Sequence, residues 1–417
     1  MGEQSNVSSK TCVSNKNLQN KPLICFNNFE DKFLESKLED ICTFYKGKGI
    51  SKEDISPEGI PCIRYGELYT KYKENIESIF SKTNLPKETL VFSEKGDILI
   101  PTSGESAEDI ATASCLNRGG IALGSDITIL RTKINSLYLA YYINFKKNEI
   151  AKLAQGVSIV HLYPKDLKEY KIKYPSLEEQ EKVVTFLKLI DLKINSLEKT
   201  LVLYQKIKKH ILEQIFANLK CESESLDKVT FYQEGPGVRN YQYTKEGIKL
   251  LNVGNFVENE LILENTDRYI SEEEAYGKYK HFLVDEGDLL IACSGIKAEY
   301  FDEKITFAKK EHLPLCMNTS TMRFKTLNEN KLNLNYLKWY FQTVMFKKQI
   351  FGVLTGSAQF NFGPTHLKYL KVLIPPIEQQ IVISNFLDFL KNHTDKLSKE
   401  IYLMKEYKKG LLQKMFV

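Results

Sequence analysis

Residues 177–216 read LEEQEKVVTFLKLIDLKINSLEKTLVLYQKIKKHILEQIF. Apolar side chains fall at Val183, Leu187, Ile190, Ile194, Leu197, Leu201, Tyr204, Ile211 and Ile215, in alternating steps of four and three, and Lys208 alone interrupts the series. That spacing is the seam of a coiled coil. The stretch holds no Gly or Pro and is bounded upstream by Pro175, so it reads as one helix of about 60 Å at ~1.5 Å per residue. A seam this long needs a partner, since an isolated helix gains too little from its own backbone to stand alone.

The chain carries that partner. Residues 377–416 repeat the seam at Ile383, Leu387, Leu390, Thr394, Leu397, Ile401, Met404, Lys408, Leu411 and Met415. Each matched position is displaced by 200 (383 minus 183, 415 minus 215), and the interrupting lysine is displaced equally (408 minus 208). Two seams in one register with one shared blemish indicate duplication. Lys208 and Lys408 are read as points where the helices splay and the lysine stems snorkel, the other reading being that they face a partner or mark register.

The segments before each helix repeat as well. LEDICTFYKGKGISK (from Leu38) matches LDKVTFYQEGPGVRN (from Leu226), EGIPCIRYGEL (from Glu58) matches EGIKLLNVGNF (from Glu246), and GDILIPTSG (from Gly96) matches GDLLIACSG (from Gly287). LAQGVSIVHLYPKDLKEYKIKYP likewise matches LTGSAQFNFGPTHLKYLKVLIPP. Short apolar runs between Gly, Pro and Ser clusters predict small strands and turns, and 136–154 predicts a helix whose aromatics Tyr138, Tyr141 and Tyr142, like Tyr336, Trp339, Tyr340 and Phe341 in the second copy, face a core. The expected fold class is α+β: two similar mixed α/β domains separated by two long antiparallel coiled-coil helices, with a pseudo-two-fold internal repeat. The helices must be antiparallel because the first carries the chain away from domain one and the second can pair with it only by returning. The expected segments are a polar, disordered leader over 1–32, domain one over 33–175, helix one over 176–218, domain two over 219–375 and helix two over 376–417.

Composition narrows the functions. At 417 residues, with 42% hydrophobic and 27% charged side chains, the chain suits two or three ordinary globular domains. No run approaches the ~18 apolar residues that span a bilayer, so no membrane is expected. The eight cysteines stand singly and the six histidines are dispersed, so no metal site is expected, and the thiols are read as reduced ones in a cytoplasmic protein. A formal net charge of +5 means that nucleic acid would be met by local basic patches. Two similar, diverged domains on paired helices suit the holding of two different readers a set distance apart on an elongated ligand. Duplex DNA, with ~34 Å per turn, is such a ligand. Four residues inserted near Ser196, matched in the other helix, would add ~6 Å and lengthen the spacer between half-sites.

The layout resembles the specificity subunit of type I restriction-modification systems. The resemblance rests on Pro175-Ser176-Leu177-Glu178-Glu179-Gln180 and Pro375-Pro376-Ile377-Glu378-Gln379-Gln380 at the start of each helix, on FLKLIDLKINSLEKTL and FLDFLKNHTDKLSKEI within them, and on KKHILEQIF and KKGLLQKMF at their ends. It covers everything after about residue 33. It implies a non-catalytic subunit that binds double-stranded DNA at a bipartite target, one half-site per domain. It also implies two modification subunits that carry S-adenosylmethionine and methylate adenine, and restriction (motor-nuclease) subunits that join them; no cofactor is expected in this chain. Thr394 in the seam departs from the pattern, as does Asn361-Phe362-Gly363-Pro364, which lacks a matching string in the first half and only faintly resembles a methyltransferase motif.

Candidate DNA contacts in domain one are Lys46, Lys48, Arg64, Tyr65, Ser103, Arg118 and Ser158, and in domain two Arg239, Asn240, Tyr241, Ser294, Lys297, Ser357 and Gln359. Charged and amide side chains beside Gly-bearing loops can reach base edges and phosphates. Gly104, Gly156, Gly295 and Gly356 recur in the two halves and are expected to serve turns needing positive φ. The alternatives are the recognition subunit of another bipartite restriction or modification system, a coiled-coil adaptor binding protein at both ends, or an enzyme. An enzyme would need a phosphate-binding or dinucleotide loop, and the sequence carries neither.

Overall fold

The computed structural model describes residues 33–156, 159–353 and 360–416. The chain divides into two compact units: unit 1 takes residues up to Leu197 together with Glu400 onward, and unit 2 takes Glu198–Lys399. Both long helices are continuous, Leu177–Asn218 and Ile377–Met415, so each contributes one half to each unit.

In unit 1 the central sheet has the order Cys42–Lys46, Ile127–Thr132, Asp97–Pro101, Ser114–Leu116, Asn75–Ile76. In unit 2 the corresponding sheet runs Thr230–Glu234, Thr321–Thr326, Leu289–Ala292, Ile305–Phe307. The shared frame is an early strand paired antiparallel with a late one, which pairs antiparallel with the strand after the Gly-Asp turn. That turn uses Gly96 at φ 92° and Gly287 at φ 85°, a region open to glycine at little cost. A second short pairing closes each globular part, Leu34–Lys37 with Lys171–Tyr174 and Ser223–Ser225 with Lys371–Leu373. Ahead of the first Gly-Asp turn, where short apolar runs predict strands and turns, lie two short helices as well, Leu38–Ile41 and Tyr65–Thr70. The helix expected over 136–154 is two, Ser136–Phe145 and Lys147–Ala151, interrupted at Lys146.

The seams are buried as their spacing requires. Unit 1 joins Val183, Leu187, Ile190 and Ile194 of the first long helix with Leu411, Met415 and Phe416 of the second in one apolar core that includes Tyr138, Tyr141 and Tyr142. Unit 2 joins Leu212 and Phe216 with Ile383 and Leu387 in a core that includes Tyr336, Trp339, Tyr340 and Phe341. In each unit the beginning of one helix meets the end of the other, so they run antiparallel. The helix ends plug equivalent aromatic clusters: Phe416 lies 5.1 Å from the Tyr138 ring and 5.7 Å from Tyr142, and Phe216 lies 5.3 Å from Tyr336 and 5.5 Å from Tyr340.

A glutamine in the first turn of each long helix fastens it to its globular part. Gln180 is buried, accepts from the Asn135 amide at 2.9 Å and donates to the Pro175 carbonyl at 2.8 Å. Gln380 is buried, accepts from the Asn333 amide at 2.9 Å and donates to the Pro375 and Lys331 carbonyls, both at 2.8 Å. Asn135 and Asn333 are themselves the N-caps of Ser136–Phe145 and Leu334–Phe341. One side-chain amide therefore satisfies backbone groups that packing would otherwise leave unpaired.

The interrupting lysines have different surroundings. Lys408 does not snorkel: its ammonium sits 2.9 Å from Glu74 and 2.8 Å from Asp191, 5.1 Å from the Tyr141 ring centre. Burial works to lower its pKa, but Glu74 and Asp191 outweigh that and leave it above the ordinary 10.5. Lys208 has Lys391 where Lys408 has Asp191 (391 minus 191 is again 200). Burial lowers its pKa, Asp395 opposes that and Lys391 adds to it. A near-perfect repeat in sequence thus becomes an ion triad in one unit and, in the other, a lysine whose burial Asp395 and Asp302 offset only in part.

Candidate nucleic-acid interface

In unit 1, Lys46 lies opposite Thr128 and Pro101 opposite Ile127, so two strands finish and one begins at the same end of the sheet. Backbone bonds gather the loops there: the Gly47 amide donates to Ile127 O (3.0 Å), Lys48 to Leu123 O (2.9 Å), Gly124 to Ile63 O (2.9 Å) and Thr102 to Asp126 O (2.8 Å). Lys46, Lys48, Arg64, Tyr65 and Ser103 therefore emerge close to one another. Lys46, Lys48 and Tyr65 are exposed, and Arg64 is half-buried. Arg64 is the N-cap residue of Tyr65–Thr70, and its amide donates to Glu67 Oε2 at 3.0 Å. Ser103 is buried with its hydroxyl 3.0 Å from His161 Nδ1, so it braces the loop from inside. Arg118 is exposed at the opposite end of the sheet, beyond Leu116, which pairs with Asp97. Ser158 lies outside the described residues.

Unit 2 presents the equivalent end. Glu234 lies opposite Met322 and Ala292 opposite Thr321, with the Gly235 amide donating to Thr321 O (3.0 Å) and the Cys293 amide to Ser320 O (2.9 Å). From these strand ends the chain leads to Arg239, Asn240 and Tyr241 on one side and to Ser294 and Lys297 on the other. Arg239, Asn240, Tyr241 and Lys297 are exposed, whereas Ser294 is half-buried. The Ser294 hydroxyl donates to Asn361 Oδ1 at 2.7 Å, and the Gly295 amide donates to the same oxygen at 2.9 Å. Ser357, Gln359 and Gly356 lie outside the described residues.

These bonds account for the start of the Asn361-Phe362-Gly363-Pro364 string. Asn361 stands to Ser294 as His161 stands to Ser103, on strand pairings Ser294↔Asn361 and Ser103↔His161. The side chain differs while the brace is kept, so Asn361 is committed to holding a loop. Of the recurring glycines, Gly156 (φ 122°) and Gly295 (φ 74°) have positive φ, but Gly104 does not. A Cβ on Gly104 would lie 2.6 Å from Ile110 Cγ2, so close packing requires glycine there.

Two arginines with donor geometry suited to DNA are instead structural. Arg131 Nε lies 2.9 Å from Asp97 Oδ1 and its guanidinium 4.4 Å from the Tyr45 ring centre. Arg323 lies 3.2 Å from Asp288 Oδ2 and donates to Gln233, His281 O and Leu283 O. Each pairs with the aspartate of the Gly-Asp turn, which fixes the strand that leads to the braced loop. The sequence carries this signal as an Asp followed by an Arg 34 residues later in one copy and 35 in the other (131 minus 97, 323 minus 288), and it becomes readable only once strand pairing is known.

The long helices also present apolar side chains to solvent, and these recur with the repeat. In unit 1 Leu189, Leu192, Tyr402, Leu403 and Tyr407 are exposed; in unit 2 Phe386, Phe389, Val202, Leu203 and Ile207 are exposed. Leu189 and Phe389, Val202 and Tyr402, Leu203 and Leu403, and Ile207 and Tyr407 each differ by 200. Among the described residues no helix is long and apolar enough to cross a membrane.

The family model described as "type I restriction modification DNA specificity domain" matches twice, over residues 30–209 and 238–403. The chain belongs to the type I restriction-modification DNA specificity family. Among its relatives, the type I restriction enzyme MjaVIII specificity subunit of Methanocaldococcus jannaschii is 25% identical over 403 residues, covering 90% of each chain. The EcoKI specificity subunit of Escherichia coli is 22% identical over 395 residues, covering 87% of this chain and 82% of that protein. The crystal structure of the type I restriction-modification S subunit from M. genitalium shares the fold with a TM-score of 0.59 at 15% identity, covering 95% of this chain and 99% of that one.

Proposed function

We propose that this chain is the DNA-recognition subunit of a type I restriction-modification complex. Each globular part reads one half of a bipartite duplex target, and the chain contributes no catalytic step of its own. Two copies of a methyltransferase subunit, which would bind S-adenosylmethionine and methylate adenine, dock on the outward apolar faces of the long helices. Restriction subunits join that assembly, and the target being chromosomal or incoming DNA, the complex works in the cytoplasm. The observation that carries this reading is a frame kept twice with different side chains on its exposed loops. Invariant scaffolding with changed loop residues suits two readers of different sequences. The recurrence of the apolar helix positions at one interval supports two copies of one partner.

In this reading Lys46, Lys48, Arg239 and Lys297 are phosphate or base contacts, because they are exposed cations on the gathered loops. The test is a comparison of genome-wide adenine methylation in cells with and without the gene. A split motif with a fixed unspecified spacer, lost on deletion, is the expected result. An unchanged methylome, or a continuous motif, would overturn the proposal.

A further inference from the structure

One loop of the shared frame has the same length and equivalent anchors in both units, while most of its side chains differ. It begins at Gly47 in unit 1 and Gly235 in unit 2, where a Cβ would overlap the carbonyl oxygens of Gly124 and Asn318. It ends at Gly59 (φ 115°) and Gly247 (φ 124°), where a Cβ would overlap the carbonyl oxygens of Thr83 and Ile270. The offsets agree, 235 minus 47 and 247 minus 59 both being 188, so the loops have equal length and equivalent anchors. Within them lies the same cap. The Ser51 amide donates to Asp54 Oδ2 at 2.7 Å, and the Arg239 amide donates to Gln242 Oε1 at 3.0 Å, again 188 residues apart.

Each cap closes a tight turn that presents two side chains, Lys52 and Glu53 in unit 1, Asn240 and Tyr241 in unit 2. All four are exposed, and Tyr241 is 86% so. The support beneath is firm. Gln242 is buried and its amide donates to Glu274 Oε1 (2.7 Å) and Tyr279 Oη (3.0 Å); Asp54 is held below the usual carboxylate range by the Ser51 hydroxyl and amide. The Glu53 carboxylate is held below its usual range by its own amide and the Ser51 hydroxyl within the turn, and the chemistry of the tips changes completely, from a cation and a carboxylate to an amide and an aromatic ring. A tyrosine left this bare on a supported turn lacks the burial that normally stabilises its ring. The four side chains are instead types that base edges accept: Lys to guanine O6 and N7, Glu to the cytosine amine, Asn to adenine N6 and N7, and an apolar ring to a thymine methyl.

We propose that these two capped turns are base-reading tips, with Glu53 accepting from a cytosine amine in one half-site and Asn240 taking an adenine edge in the other. Lys52 and Tyr241 flank them as guanine or phosphate donor and as apolar contact. This rests on the recognition reading above. It adds Lys52 and Glu53, which pattern reading of the sequence passes over because a Lys-Glu pair in a loop looks like ordinary solvated surface.

The test uses the full chain co-expressed with its methyltransferase subunit in a host without adenine methylation, read by methylome sequencing for wild type, Glu53→Ala and Asn240→Ala. Retention of the wild-type near-ultraviolet circular dichroism spectrum and melting curve shows that the variants fold. The expected result is loss of discrimination at one base pair of one half-site for E53A, and at one base pair of the other for N240A, each roughly tenfold or more. Both variants methylating the wild-type motif with unchanged preference overturns the tip assignment and leaves the recognition reading standing. Uniform loss of methylation without change of preference also overturns it, since phosphate contact would explain that. A wild-type complex with no split motif removes both.

Discussion

Replacement of Gln380 by leucine should destabilise unit 2 far more than its size suggests. The substitution keeps nearly the same volume but removes an amide that serves three backbone groups, the Asn333 N–H and the Pro375 and Lys331 carbonyls. Each buried group left unpaired costs about 1–3 kcal/mol, and water can reach some of them, so the expected loss is about 3–6 kcal/mol. Trp339, the only tryptophan of the chain, reports on unit 2, where its indole donates to Asp388 at 3.0 Å. Urea unfolding followed by its fluorescence should show an earlier midpoint for Q380L. Gln379→Leu, one residue earlier and exposed, should stay within about 0.5 kcal/mol of wild type. A Q380L midpoint within about 1 kcal/mol of wild type, or an equal loss in Q379L, would refute the fastening role.

Lys408→Met should destabilise unit 1 by about 2–3 kcal/mol in urea melts followed by near-ultraviolet circular dichroism, because it leaves Glu74 and Asp191, 18% and 21% exposed, facing each other without their cation. Lys208→Met in the same register should be neutral or stabilising by up to about 1 kcal/mol, since burial and Lys391 disfavour that ammonium and Asp395 and Asp302 offset them only in part. The raised pKa of Lys408 makes its contribution complete below pH 10.5 and lost as pH climbs past that, whereas the lowered pKa of Lys208 makes its cost present at neutral pH and relieved toward pH 10.5. Thermal melts between pH 8 and 11.5 should therefore show the K408M defect shrinking above pH 10.5. Lys46→Ala with Lys48→Ala should weaken DNA binding evenly across sequences and reduce the slope of log affinity against log salt by roughly 2, as measured by fluorescence anisotropy; an unchanged slope would remove these lysines from the interface. Asn361→Ala should loosen the Ser294–Lys297 loop and speed hydrogen exchange of the Gly295 amide, which loses its acceptor.

The long helices and their duplication were legible because a coiled-coil seam is a one-dimensional pattern: the positions that face the partner recur along the chain whatever the surrounding fold does. Gln180 and Gln380 were visible as part of a family signature, but their task was not, because it depends on an amide 45 or 47 residues earlier arriving within hydrogen-bond reach. Chemical type beside a glycine, the signal available for DNA contacts, is blind to which end of a sheet a loop leaves from. It puts Arg118 with Lys46 although they lie at opposite ends, and takes in Ser103 and Ser294 although both hydroxyls are spent on braces. Lys408 and Lys208 make the same point for charge. Their matching positions suggested matching roles, yet Asp191 against Lys391 sets them apart, and only three-dimensional neighbours reveal it.

Unit 1 is completed by residues far downstream of its globular part: Leu411, Met415 and Phe416 belong to its core, with Phe416 against Tyr138, Tyr142 and Phe145. The first-made unit therefore leaves the ribosome unfinished, its aromatic pocket open until residue 416 has been translated. A stop codon near residue 400 would spare every residue of the interior unit and cripple the one encoded first.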